Sequence, residues 1–402
     1  MVSTNMQRSE RWSNRFKAVA IGIGLALSAL TIRHWVETFS FGHPLCEDCR
    51  PDFPSLYSGA KLVGEEPSAL YDLKKQLVIQ KSIDSRIGDS ALAFAYPPST
   101  ALLLMPLGWL SFSSAFLVMT VVNGLALLLA LKLLVNYLQL NREQSQWLWL
   151  TTFCNFGVHS TILQGQTSLL ILLLVVLFMR SASRTTESAT AGAWCGALFI
   201  KPQLMAVPLL ALVARRRWRA LGFALIVIVA AASVSGLLVG QQGIADYLAI
   251  AFRFSGSASD LGTNPQDMHN LRALAYYALT GLAALSAWIA LSALVIGGAY
   301  WLNSKDFHQQ SSAAAQWIGT AAAMLLVSPH LHAHDLALLI LPSAWILKLF
   351  PASIPVGVMS LLIAVGILPM LPVVLATSLF PVMPLIFLLA MAVAIHRMRH
   401  AA

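Results

Sequence analysis

The chain has 402 residues, of which 57% are apolar and only 11% charged, against roughly 45–50% and 25% in a soluble domain. With a mean hydropathy of +0.71 and four cysteines, this excludes a soluble globular protein, a disordered chain and a disulfide scaffold. An all-α polytopic membrane protein remains, forming one integral membrane domain over 1–402. Its net charge of +9 fits Lys and Arg held in cytoplasmic loops, and no groove of interleaved aromatic and basic residues points to nucleic acid.

Arg8, Arg11, Arg15 and Lys17 precede an apolar run from Ala18 to about Ile32. Arg33-His34-Trp35 follows where a cleaved leader would carry a small-residue cleavage site. A retained first helix over about 18–36 is therefore expected, with its N-terminus cytoplasmic. The loop 37–111 opens with the longest polar stretch, Glu37 to Ala91, which holds more than half of the acidic residues. A stretch that long is ordered in its own right. The last part of the loop, Tyr96 to Leu110, is apolar but short and broken by Pro97, Pro98, Pro106 and Gly108, so it reads as a helix lying on or dipping into the membrane. Further spans are expected near 112–136, 147–163, 167–180, 188–200, 203–214, 218–240, 282–302, 313–328, 334–349, 352–371 and 376–396, about twelve in all.

Alternating these spans puts Arg142, Arg180, Arg184, Arg215-Arg216-Arg217, Arg219, Lys305, Lys348, Arg397 and Arg399 inside, as the positive-inside rule requires. The opposite face receives 37–111, the turns at 164–166 and 201–202, the loop 241–281, and 328–335. It therefore collects the polar residues hardest to explain as lipid-facing structure: Asp52, Gln164, Gln166, Lys201, His330, His332, His334 and Asp335. Ionisable groups at membrane depth are costly and default to functional hypotheses.

Each has a plainer alternative. Asp52, beside Phe53 and Tyr57, can be a base with a raised pKa, or the N-cap of a following helix. Gln164-Gly165-Gln166 is a tight polar turn, or a pair of amides for a sugar. Lys201 stands where Pro202 breaks an apolar stretch; it either snorkels or meets a phosphate. His330, His332 and His334 suggest zinc, substrate hydrogen bonding or structural capping; without HExxH or a distant acidic partner, no metal is assigned. Cys46 and Cys49 form a CxxC lacking the second pair zinc would need, and neighbouring Glu47 and Asp48 oppose a reactive thiolate. The Arg215–Arg219 cluster reads as a cytoplasmic anchor.

Taken in order, several stretches resemble glycosyltransferase family 87. They are Asp52-Phe53 with Tyr57 and Ala60; Pro67 through Tyr71-Asp72; Tyr96-Pro97-Pro98 through Pro106; Gln164-Gly165-Gln166 with Leu169-Leu170; Lys201-Pro202 leading to Arg215–Arg219; and Ser328-Pro329 through His334-Asp335 to Leu341-Pro342. The resemblance implies a GT-C-like fold with a long first extracytoplasmic loop. It also implies transfer of a hexose, mannose first, from a polyprenyl-phosphate sugar to a lipid or glycan acceptor, at the outer face of a bacterial inner membrane. Asp52 maps to the base. Lys201 and the His330–Asp335 segment would serve the donor phosphate, and Gln164, Gln166, Tyr57 and Tyr96 would orient sugar or acceptor. No cofactor or metal is implied. A secondary transporter or lipid-carrier flippase is the rival class; it would show an internal repeat, and none is visible.

Overall fold

The computed structural model describes residues 2–41, 52–83, 88–184, 189–255, 265, 268–304, 310–350 and 354–370. Among them every regular element is a helix. Cys46, Cys49, Lys305, Arg397, Arg399 and the expected span 376–396 lie outside the described residues.

After α1 (Val2–Phe41), the polar stretch folds into α2 (Phe53–Glu65), a 3-10 turn at Pro67–Ala69, α3 (Leu73–Ile83) and α4 (Pro98–Gly108). Pro54 sits in the first turn of α2, where its missing N–H leaves nothing unbonded. On α3, Gln76 and Gln80 are wholly buried. Gln76 donates to Leu70 O and accepts from Phe94 N, while Gln80 donates to Leu92 O and accepts from Leu92 N. The two amides thus splice the irregular segment before α4 onto α3 and deliver Tyr96 to its place. The eleven residues of α4 rise about 16 Å, half of a hydrocarbon core. As expected for 96–110, this helix is too short to span. It lies against α2, where a Cβ on Gly108 would meet Ala60 O at 2.7 Å.

The rest of the chain is α5 (Phe112–Leu138), α6 (Arg142–Phe153), α7 (Phe156–Gln164), α8 (Ser168–Arg184), α9 (Ala189–Ala197), α10 (Pro202–Ala214), α11 (Trp218–Ser255), α12 (Leu271–Ala278), α13 (Gly281–Asn303), α14 (Gln310–Val327), α15 (Ile340–Lys348) and α16 (Val356–Ile367). Among the described residues, four stretches are long and apolar enough to cross a membrane: Asn14–Arg33, Phe112–Leu138, Trp218–Phe254 and Gly281–Asn303. Their outward residues are apolar and bare, with Leu237 89%, Leu282 81% and Leu294 72% exposed. Faces of that kind suit lipid, not water.

The other expected spans are shorter and more broken than hydropathy implies. The 147–163 segment is two helices, α6 and α7, parted at Cys154-Asn155, where Asn155 caps α7. The 188–200 segment is α9 followed by a 3-10 turn, Leu198–Ile200. The 334–349 segment is a 3-10 run, Ala333–Leu339, leading into α15, buried from Ile340 to Leu347. Irregular backbone at such depth is tolerated where protein satisfies its carbonyls. Here Thr161 donates to His334 O at 3.0 Å and Asn155 to Leu336 O at 3.3 Å. α11 also departs from expectation. It breaks at Gly240, with φ 70° and ψ −178°, a conformation open to glycine. It then runs on as helix to Ser255 where a loop was expected.

Two apolar cores result. The larger centres on Trp147, Phe178, α14 and α15. The smaller packs Phe53, Tyr57, Phe94 and Phe116 with Val239 and Ile250 from α11. Elements of both line the cavity described next.

Candidate active site

A cavity of about 420 Å³ gathers Asp52, Tyr96, Gln164, Gln166, Lys201, His330, His332 and His334. Eight of the ten residues expected from sequence thus share one space, although they come from five separate stretches of chain.

Asp52 immediately precedes α2, but its side chain makes no N-cap bond, which removes the capping alternative. Its Oδ2 instead accepts a hydrogen bond from Gln166 Nε2 at 2.7 Å. Phe53 and Tyr57 turn into the smaller core, so the carboxylate faces the cavity, with 35% of its side chain exposed. Gln166 owes its place to Gly165, the left-handed cap of α7, at φ +61°. A Cβ on Gly165 would fall 2.8 Å from Phe53. The Gln166 amide is bonded at both ends, with Oε1 accepting from Tyr96 Oη at 2.6 Å, and Asn123 Nδ2 holds its backbone carbonyl at 2.8 Å. It is therefore an oriented group and not the tip of a solvated turn. Gln164 lines the cavity on the same turn.

Lys201 does not snorkel. Its side chain is 4% exposed and its Nζ lies 2.7 Å from Asp335 Oδ1. Asp335 is 2% exposed and also accepts from Ser168 Oγ at 2.7 Å. Burial opposes the lysine charge, but Asp335 outweighs it and holds the Lys201 pKa above its ordinary value. The ammonium stands 5.9 Å from the centroid of Tyr96. Asp335 itself lies beneath the cavity and not on its surface, so its part is to hold Lys201.

His334 stands between the two carboxylates, with Nδ1 3.7 Å from Asp52 and Nε2 3.4 Å from Asp335. His332 and His330 continue the wall, their rings edge to face at 4.3 Å, with Phe254 against His330. Burial, and then neighbouring imidazoles, push His332 down to about 4 and His330 well below the ordinary histidine value. These two are neutral at pH 7. The Nδ1 of His330 is buried without a hydrogen-bond partner among the described residues, which is a vacancy a ligand can fill. Among the described residues, no three His, Cys, Asp or Glu side chains are arranged to hold a metal ion.

Tyr57 is not brought to the cavity. It is 6% exposed, donates to Leu110 O at 2.8 Å, and meets Phe112 edge to face. The cavity also draws on residues that the sequence pattern does not mark. Ser168 begins α8 and completes the Lys201–Asp335 group. His269 and Phe254 also line the cavity, and Ser160 and Gln203 add polar lining. Only Ser168 carried a signal, being two residues beyond Gln166 in an apolar run.

The fold and this cavity define an integral membrane protein with an enclosed polar site that pairs one available carboxylate with one fixed cation. The model of glycosyltransferase family 87 matches residues 94–329, more than half of the chain, and the protein belongs to that family. The match takes in Tyr96, Gln164, Gln166 and Lys201, while Asp52 and the 330–335 segment lie beyond its ends. An alpha-(1->3)-arabinofuranosyltransferase, in two strains of Mycobacterium tuberculosis, is 33% identical over 142 residues. The alignment covers 33% of this chain and 32% of that relative, so the chain spans about a third of the length of the curated relatives it matches. No solved structure matches.

Proposed function

We propose that the protein is an inverting glycosyltransferase, moving a sugar from a polyprenyl-phosphate carrier to a hydroxyl of a lipid or glycan acceptor. The observation that carries this reading is the pairing, across one cavity, of Asp52 oriented by Gln166 with Lys201 fixed by Asp335. Gln166 occupies Asp52 Oδ2, which leaves Oδ1 to take the acceptor proton. The acceptor oxygen then attacks the anomeric carbon as the bond from that carbon to the phosphate oxygen breaks. The bonding electron pair leaves with polyprenyl phosphate, the proton stays on Asp52, and the anomeric configuration inverts. A phosphate leaving group needs charge stabilisation more than a proton. Lys201 supplies it, with N–H groups of the neutral His330 and His332 beside it. Gln164 and Tyr96 position the sugar. The sequence as drawn calls for no metal.

The sugar is a hexose, mannose first, on the family resemblance; the named relatives make arabinofuranose the competitor. The site faces away from the cytoplasm of a bacterial inner membrane, with both termini inside. The basic turns around Arg142 and Arg215, at the other ends of the short helices, support that orientation.

The test is incubation of proteoliposomes with polyprenyl-phosphate mannose, glucose and arabinofuranose plus a lipid extract, followed by mass spectrometry of new glycoconjugates. Asp52→Asn should lower transfer by about 10²–10⁴-fold with an unchanged thermal midpoint, because an asparagine oxygen can still accept from Gln166. Full transfer by that variant removes Asp52 from the mechanism. Solute counterflow without any glycosidic product replaces the reading with a transporter.

A further inference from the structure

The loop that carries His330 and His332 has no helix of its own. The carbonyls of Ser328 to Leu331 fall between α14 and the 3-10 run, and Ser328 and Leu331 are wholly buried. Buried carbonyls need partners. One short stretch of chain at the start of α12 supplies three of the four. His269 N–H donates to Leu331 O at 3.0 Å. Asn270 Nδ2 donates to Ser328 O at 2.7 Å, and Arg272 Nη1 to Pro329 O at 2.9 Å. The His330 carbonyl accepts from Ser328 Oγ at 2.8 Å. Asn270 does this while capping α12, since its Oδ1 accepts from Ala273 N. Arg272 makes a second bond from the same nitrogen, to Phe254 O at 3.3 Å. Arg272 is wholly buried, with the rings of Tyr276 and Trp288 5.6 Å from its guanidinium; aromatic faces of that kind favour a cation.

These bonds converge on one wall of the cavity. Phe254, whose carbonyl Arg272 holds, sets its ring against His330 with centroids 5.3 Å apart. His330 in turn meets His332 at 4.3 Å. His330 Nδ1 has no hydrogen-bond partner among the described residues. No polar contact at that nitrogen aims the ring, so its direction follows from its backbone and from Phe254. Arg272 grips the chain on both sides of that contact, at Phe254 O and at Pro329 O. A guanidinium suits the task because its N–H groups are fixed in one plane. Arg272 is not itself among the residues lining the cavity.

Resting on the proposed transfer reaction, we propose that Arg272, with Asn270, is a positioning residue for the donor phosphate: it holds Pro329 and Phe254 so that His330 and His332 face the departing oxygen. It touches neither donor nor acceptor and acts through the wall alone. Its loss weakens the hold on the phosphate and leaves the base as it was, because Asp52 is aimed separately, by Gln166 and Tyr96.

Arg272→Met keeps an apolar stem beside Tyr276 and Trp288 and removes both donors. Steady-state kinetics in proteoliposomes should show the KM for polyprenyl-phosphate sugar rising about tenfold, the worth of one hydrogen bond to a charged group, with the KM for acceptor unchanged. The Kd of polyprenyl phosphate, read from its shift of the unfolding midpoint, should rise by the same factor. Arg272→Lys, which returns a charged donor, should recover most of the loss. Asn270→Ser keeps a cap on α12 but drops the bond to Ser328 O; it should move the donor KM in the same direction, and it carries the test if Arg272→Met does not fold. Hydrogen exchange read by mass spectrometry should be faster across 328–335 in either variant and unchanged in α15. A merely structural role would move both KM values together, or neither while lowering the yield of folded enzyme; each of those results overturns the proposal, as does unaltered exchange across 328–335. Wild-type protein that transfers no sugar, yet binds polyprenyl phosphate in a manner weakened by Arg272→Met, would instead sink the transferase reading and leave the positioning role standing.

Discussion

Lys201→Met should be among the most destabilising single changes in the protein, and Lys201→Met with Asp335→Leu should be milder than either alone. The two charges are 2.7 Å apart, with side chains 4% and 2% exposed, so water screens neither. Removing one partner of such a pair strands the other charge, at a cost of about 3–5 kcal/mol. For Asp335, Ser168 remains a bonding partner, but a neutral hydroxyl does not neutralise a buried carboxylate. Replacing both by apolar side chains removes the stranded charge and is often neutral, so a double-mutant cycle should return a coupling of about 3 kcal/mol. The assay is thermal or denaturant unfolding of the purified protein in a mild detergent, with glycosyl transfer measured on the same samples. Stability and activity should part company. The double variant recovers its unfolding midpoint but stays about 10²–10³-fold slow, the loss typical of one missing transition-state donor. Additive single effects would refute the buried pair. A double variant that transfers at the wild-type rate would refute a role for Lys201 on the phosphate.

Three further outcomes follow from the same geometry. Tyr96→Phe removes the hydroxyl that fixes Gln166; it should cost about 1 kcal/mol and lower kcat more than it changes KM, measured by steady-state kinetics. Gly165→Ala places a Cβ 2.8 Å from Phe53 at φ +61°. It should destabilise by more than ~1 kcal/mol and lower transfer by displacing Gln166, whereas Gly88→Ala, with open space around it, should do neither. The third concerns pH. His332 and His269 are pushed down to about 4 and about 3, chiefly by burial. Groups so depressed bind fewer protons folded than unfolded. Their neutral burial contributes stability above the unfolded value near 6.5 that is lost as pH falls through their folded values. The unfolding midpoint should therefore drop between about pH 6.5 and 4, and His332→Asn should flatten that drop.

How much of this was legible in the sequence depended on contrast. Asp52, Gln166, Lys201 and the His334-Asp335 pair stand out because an apolar chain gives ionisable groups few reasons to be at membrane depth. The cavity gathers all of them but Asp335, which lies beneath it and holds Lys201. Tyr57 failed because nearness to Asp52 along the chain does not say which side of α2 a residue occupies, and Phe112 offered its ring a better partner. His269 and Phe254 come from a long segment whose path local pattern does not encode. Several expected spans prove shorter and more broken for a related reason. Hydropathy sees the apolar run around Asn155 or His334 but cannot see Thr161 and Asn155 donating to the carbonyls freed at the breaks. A short helix sheltered by neighbours reads like a span. The long helices α5, α11 and α13 face lipid by themselves and their sequences predict spans, though α11 runs beyond its expected end.

The Gln166 amide fixes the direction in which protons can travel. Its oxygen demands a donor from Tyr96 and its nitrogen demands an acceptor in Asp52, so neither contact can reverse without turning the amide against both neighbours. A proton arriving on Asp52 finds no exit through Tyr96. It must depart by Oδ1, through the exposed side of the carboxylate, because the nearest His334 nitrogen faces the already bonded Oδ2 at 3.7 Å. With Asp52 as the proposed base, turnover has a reset step of its own, separate from the proposed sugar transfer and release of lipid phosphate. Solvent access to that single oxygen sets how soon the base can act again.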